Sequence, residues 1–208
     1  MLFDLSHLDV TRASRLMTAL VTPRPIAWVV SQDANGNRNA APFSFFNIMS
    51  SFPPVLAIGM QPRNGGGEKD SLCNIRQTRE FVVSLVSEAL ASQMSLTSAE
   101  LPSGEDELTR FGIGVDASAF IAPPRIAGSP AAFECRLRQI VDLENGRAII
   151  LGDIAAAHVD DDAVIDGEAG KIDAVRLRLI ARMHGRSCYV RSTDLFDLAR
   201  SGQAVLEV

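Results

Sequence analysis

The stretch NAAPFSFFNIMSSFPP, residues 39–54, sets Phe43, Phe45 and Phe46 among Ser44, Asn47, Ser50 and Ser51. A plain core strand has no use for so many hydrogen-bonding side chains. A plain surface loop has none for clustered aromatics. Two readings follow. The stretch is a core strand end with its own turn hydrogen bonds, or it lines a site for a planar heteroaromatic ligand. In the second case Phe45 and Phe46 are flat walls, and Ser44, Asn47, Ser50 and Ser51 meet the ligand's polar edge.

Outward from this stretch the chain reads as short strands joined by hairpins. Residues 26–31 (IAWVVS) are β-rich, and residues 33–37 (DANGN) hold an Asn-Gly turn signal. Together they predict an antiparallel hairpin whose second strand runs from Arg38 to about Phe43. Residues 54–61 predict another strand, and residues 81–87 a buried one. Residues 131–143 alternate, with Phe133, Cys135 and Leu137 on one face and Glu134, Arg136 and Arg138 on the other. Glu144-Asn145-Gly146 turns this strand into the next, from Arg147 to about His158.

Helical signals are shorter. Asp9 starts a helix through Leu20, with Val10, Leu16, Met17 and Leu20 on one side. Residues 70–80 predict a helix capped by Asp70 or Ser71, with Leu72, Cys73 and Ile75 facing inward. Residues 88–98 read as a short helix, 101–112 as a loop holding one, 122–130 as an extended loop and 160–173 as a polar loop. Residues 174–183 fit helix or strand, and residues 194–202 a turn of helix. With about six strands and no regular βαβα alternation, a doubly wound sheet is disfavoured, and an antiparallel barrel with peripheral helices fits.

The 208 residues suffice to bury a sizeable core, and 47% apolar with 22% charged residues is ordinary for a soluble globular chain. The net charge of -5 comes without a basic block, which argues against nucleic acid as a partner. Asp4 and Asp9 interrupt what a secretory leader would need, and no apolar run approaches the ~20 residues that span a bilayer. Cys73, Cys135 and Cys188 lack paired spacing and read as reduced, packed thiols of a cytoplasmic protein. His7, His158 and His184 are scattered, so no metal site is expected.

Three motifs have competing readings. The glycine-rich run NGGGEKDS (residues 64–71) precedes a predicted helix. It is either a phosphate cradle built from the helix start, Lys69 and Ser71, or a flexible loop with an aspartate cap. Arg24, between Pro23 and Pro25, is stiffly presented, and reads most simply as a surface arginine at a strand entry. His184 beside Gly185 reads as a turn histidine or as a side chain over a closely approaching ligand.

Taken together, TPRPIAWVVSQDANGNRNAAPFSFFN, SSFPPVLAIGM, KDSLCNIRQTREFVVSLV, SPAAFECRLRQIV and IILGDIAAAHVDD resemble the flavin reductase-like, FMN-binding split-barrel family. The resemblance runs from about Thr22 to Tyr189, and RLIARMHGRSCYVRS is similar to the family's end segment. It implies a mainly β fold with peripheral helices, an antiparallel split β-barrel of Greek-key type. The whole chain, 1–208, would be one such domain, with an N-terminal helical arm (1–21) and a C-terminal tail (190–208). It also implies a homodimer, with FMN in a groove at or near the dimer interface. Transferred residue by residue, the flavin contacts fall on Arg24, Pro25, Ser44, Phe45, Asn47, Ser50 or Ser51, Lys69, Asp70, Ser71 and Gly185. Lys69 to Ser71 would hold the phosphate, and Asp70 would cap the helix or touch the ribityl chain. His184 stands where the family often has glycine and is the candidate on the nicotinamide side.

The implied activity is an NAD(P)H-dependent FMN oxidoreductase. NADH or NADPH would pass hydride to the flavin without a protein acid or base. Reduced flavin would feed a partner monooxygenase or reduce a bound acceptor. The alternative is an FMN-binding electron carrier without strong nicotinamide turnover.

Overall fold

The computed structural model describes residues 1–185 and 187–198. Helix α1 (Val10–Leu20) is capped by Asp9, whose carboxylate accepts from the Arg12 N–H. It buries none of its residues, so its apolar stripe stays uncovered. Strands β1 (Arg24–Pro25), β2 (Ala27–Gln32), β3 (Arg38–Phe43), β4 (Phe46–Ser51) and β5 (Pro54–Met60) follow. Then come α2 (Asp70–Thr78), β6 (Glu80–Leu85), α3 (Ala91–Leu96) and α4 (Glu107–Arg110). A small ladder of β7 (Val115–Asp116) and β8 (Arg125–Ile126) precedes the long hairpin β9 (Ala131–Asp142) and β10 (Ala148–Val159). Strands β11 (Val164–Asp166) and β12 (Lys171–Ile172) pair with each other, and β13 (Ile180–Arg182) lies between β1 and β14 (Tyr189–Arg191).

Seven strands form one antiparallel sheet in the order β3-β2-β6-β9-β10-β5-β4. Its two edges, β3 and β4, are consecutive in the chain and separated only by Ser44 and Phe45. The sheet therefore curls until its edges meet at that corner, where they turn without pairing. The Gly59 N–H donates to the Phe45 carbonyl at 2.7 Å and pins the corner to β5. A Cβ on Gly59 would sit 3.1 Å from that of Phe45, which explains the glycine. The result is a split barrel, mainly β, with few helices.

Both faces of β2 and β6 are covered, which is why their sequences are nearly continuous apolar runs. Ala27, Val29, Phe81 and Val83 point into the barrel with Phe43, Phe46, Leu56 and Ile58, joined by Leu72 and Ile75 from α2. Trp28, Val30 and Val82 point outward against Met94 of α3, Leu108 of α4, Ile113 and Ile126.

Several expectations need correcting. Cys73 is exposed, not inward, and Cys188 is exposed too; only Cys135 packs in the core. Phe46 belongs to the inner core and leaves Phe45 as the exposed wall. Glu134 is on the face the alternation predicts, yet it is fully buried, because residues 117–122 fold over it. The loops 122–130 and 160–173 contain β8, β11 and β12. Of the ambiguous 174–183, residues 180–182 are strand. Residues 194–198 have no regular structure, and the rest of the expected helical turn lies outside the described residues. No described helix is long and apolar enough to cross a membrane.

Gly152 marks the first of two register shifts between β9 and β10. A Cβ there would lie 2.5 Å from Phe81 Cζ, the tip of a ring locked in the inner core. Gly152→Ala is expected to cost about 1–2 kcal/mol: overpacking at about 1–3, partly offset by the lower backbone entropy of alanine. Urea unfolding should show that loss, and Phe81→Leu in the same chain should recover part of it.

Candidate functional site

The glycine-rich loop delivers the chain to α2 with Lys69 at the N-cap position in extended geometry. Neither Asp70 nor Ser71 caps the helix, contrary to the sequence expectation. The Asp70 carboxylate instead accepts from Arg63 at 2.9 Å and from the Ser103 hydroxyl at 3.0 Å. Ser71 is buried and accepts from the Asn39 amide at 2.7 Å. Among the described residues nothing caps the first turn through a side chain; the Leu72 N–H donates to the Lys69 carbonyl at 2.9 Å, and the Asp70 and Ser71 N–H groups are left toward solvent or a ligand. A helix start of this kind favours an anion, and the Lys69 ammonium adds a full charge.

This helix start forms one end of a polar trough. Its wall includes Asn39, Pro42, Phe43, Lys69, Ser71 and Ser98. Pro42, Phe43 and Ser98 also border the next hollow, which is completed by Ile26, Ser44, Arg182 and Tyr189. There the Arg182 guanidinium lies 4.8 Å from the centre of the Tyr189 ring. Ser44 is in turn shared with a larger apolar groove lined by Met17, Val21, Phe45, Asn47, Met49 and Ile149. The corner that splits the barrel is thus the junction of the polar trough and the apolar groove.

The other sequence candidates are placed as follows. Arg24 is only 6% exposed, so it is not a surface arginine. Its guanidinium donates to the carbonyls of Thr18 and Val21 at 2.6 Å each and of Met183 at 3.0 Å. That ties the end of α1 to the segment after β13, and Arg24 and Pro25 both line the groove. Asn47 lines the same groove, and its own Oδ1 accepts from the Ile48 N–H at 2.8 Å. Ser50 and Ser51 fall outside both hollows, on the β4–β5 hairpin. His184 and Gly185 are exposed between β13 and β14, and the Gly185 carbonyl accepts from Arg182 at 3.0 Å.

Asn39, Ser98, Arg182 and Tyr189 were not singled out in the sequence. Asn39 and Ser71 are 32 positions apart, and no local pattern joins them. The sequence signal for Asn39 is an amide followed by Ala40 and Ala41 on a predicted strand; the structure buries it, and a buried amide needs a partner.

Comparison with known proteins agrees with this geometry. Residues 18–170 match the family model described as "Flavin reductase like domain". An uncharacterised protein of Deinococcus radiodurans is 42% identical over 95% of this chain and 88% of its own length. Among solved structures, the 2-nitrobenzoate 2-nitroreductase NbaA of Pseudomonas fluorescens superposes with a TM-score of 0.87 at 32% identity, covering 96% of both chains. Nitrilotriacetate monooxygenase component B of Bacillus cereus gives 0.87 at 27% identity, covering 95% of this chain and 98% of that one. With the fold, the corner and the match over most of its length, this chain belongs to the flavin reductase like domain family.

Proposed function

We propose that this oxidoreductase of the flavin reductase family takes FMN as its flavin and NADH or NADPH as its donor. The observation that carries the reading is the uncapped start of α2, flanked by Lys69 and Ser71, opening on a trough that runs to Ser44. Its donors, backbone N–H groups, an ammonium and a hydroxyl, suit a phosphomonoester. Lys69 and Ser71 would hold the phosphate, Ser98 would flank the ribityl chain, and Ser44 would meet the polar edge of the ring. Asp70, engaged with Arg63 and Ser103, would shape the pocket without touching the phosphate. When bound, FMN supplies the acceptor for a nicotinamide hydride.

The test is anaerobic. FMN should co-elute with the purified protein, and its visible absorbance should bleach on adding NADH or NADPH. Bound flavin that neither donor bleaches would reverse the nicotinamide assignment and favour an electron carrier.

The groove beyond Ser44 supports a homodimer. Edge strand β4 carries exposed Ile48 and a 55% exposed Met49, and Phe52 in the following turn is 93% exposed. An exposed apolar edge beside an apolar groove is what a second copy would cover. Met49→Asp is expected to shift the protein from dimer to monomer in light scattering and to weaken FMN retention. An unchanged mass would remove β4 from the interface.

Likeness to a monooxygenase component supports delivery of reduced flavin to a partner monooxygenase. Likeness to a nitroreductase favours a second reading, in which the flavin stays and a nitroaromatic acid is reduced in place. Anaerobic NADH consumption that rises with added 2-nitrobenzoate would select the second.

A further inference from the structure

The phosphate end of the trough holds more carboxylates than cations. Its walls carry Arg63 and Lys69 against Asp70, Glu100 and Glu107. Arg63 is committed to Asp70 and to the Leu101 carbonyl, at 2.9 and 2.6 Å. Lys69 lies 3.7 Å from Glu100, which also accepts from the Asn64 N–H of the glycine-rich loop at 3.0 Å. Glu107 is 6% exposed and accepts from the Ala40 N–H at 2.8 Å, with no ion-pair partner among the described residues. The charges acting on it are Asp106, one residue before it, and Asp70 from α2; Arg38 of β3 is paired with Asp106 at 2.8 Å. Burial first, and then those two aspartates, push the Glu107 carboxyl above its ordinary range.

A phosphate entering this end would meet a lysine already shared and a buried carboxyl with no counter-charge. We infer that Glu100 and Glu107 make the phosphate site exchangeable: Glu100 competes with the ligand phosphate for Lys69, and Glu107, buried in the same trough with no ion-pair partner among the described residues, sets a second carboxyl against it. The inference rests on the flavin reading above. It assigns FMN the role of a ligand that comes and goes. A phosphate beside Glu107 favours its neutral form further, so binding takes up a proton and tightens as pH falls.

The experiment measures Kd for FMN and for riboflavin, which lacks the phosphate, by flavin fluorescence between pH 5.5 and 8.5. It uses the whole wild-type protein, Glu100→Gln and Glu107→Gln. Glu100→Gln is expected to tighten FMN about two- to fivefold at pH 8, the range of a part-exposed ion pair, and to leave riboflavin unchanged. Glu107→Gln keeps an acceptor for Ala40 and should flatten the FMN profile relative to wild type. The phosphate's own ionisation, near pH 6, is common to all three proteins and cancels in that comparison. If Glu107→Gln does not fold, Glu100→Gln alone decides. FMN binding that is the same in the variants as in wild type would overturn the inference and leave the flavin reading standing. No binding of either flavin to any of the three would overturn both.

Discussion

Lys69→Ala is expected to weaken FMN binding by about 1.5–3 kcal/mol, roughly tenfold to a hundredfold in Kd, with little effect on riboflavin. The magnitude is that of a hydrogen bond between charged partners. It falls toward the lower half of the range because Lys69 is partly shared with Glu100. The helix itself should survive: Lys69 is in extended geometry at the N-cap and offers no side-chain cap to lose. Unchanged thermal stability alongside weakened FMN would separate a ligand contact from a structural one. In a Glu100→Gln background the same truncation should cost more, because the ammonium there is no longer divided between two anions. FMN affinity indifferent to Lys69 would move the phosphate away from α2.

What could be read from the sequence was local. The hairpin at Asn35-Gly36, the α1 cap at Asp9 and the alternation in β9 each follow from residues within a few positions of one another. The corner at Ser44–Phe45 does not. Its meaning depends on β3 and β4 being opposite edges of one sheet, and five other strands lie between them in the ladder. The mixture of aromatics and polar groups in residues 39–54 then has a physical account. Phe43 and Phe46 fill the barrel, Phe45 faces the groove, and Ser44 stands where trough and groove join. Arg24 was hidden for the same reason. A proline-flanked arginine reads as exposed until α1 and the segment after β13 bring three carbonyls to it. The helix start at Lys69 was legible, but the carboxylates that crowd it arrive from residues 100 and 107.

Glu134→Gln is expected to be the most destabilising of these changes, at about 3 kcal/mol, although it alters one atom. The Glu134 carboxylate is completely buried at the middle of the sheet. One oxygen accepts from the Ala119 N–H at 2.6 Å and also lies 2.6 Å from His158 Nε2; the other accepts from the Phe120 N–H at 2.7 Å. A glutamine amide presents one oxygen and one NH2 group. Either orientation sets that NH2 against a backbone N–H, so a donor is left buried and opposed. Burial alone would raise the carboxyl's pKa, but the Ala119 N–H, His158 and the Phe120 N–H outweigh it and hold Glu134 below the ordinary range. The sign of the pH dependence follows. A depressed carboxylate contributes its stability in full above its unfolded pKa, about 4.3, and loses it as pH falls through the folded value. The wild-type advantage over Glu134→Gln in urea unfolding should therefore shrink as pH falls below about 4. Two parallel curves down to pH 3 would mean that the carboxylate's charge contributes nothing, and that residues 117–122 are held over the sheet by their other contacts, among them the Ala122 N–H to Glu80 and Arg136 to the Phe120 carbonyl.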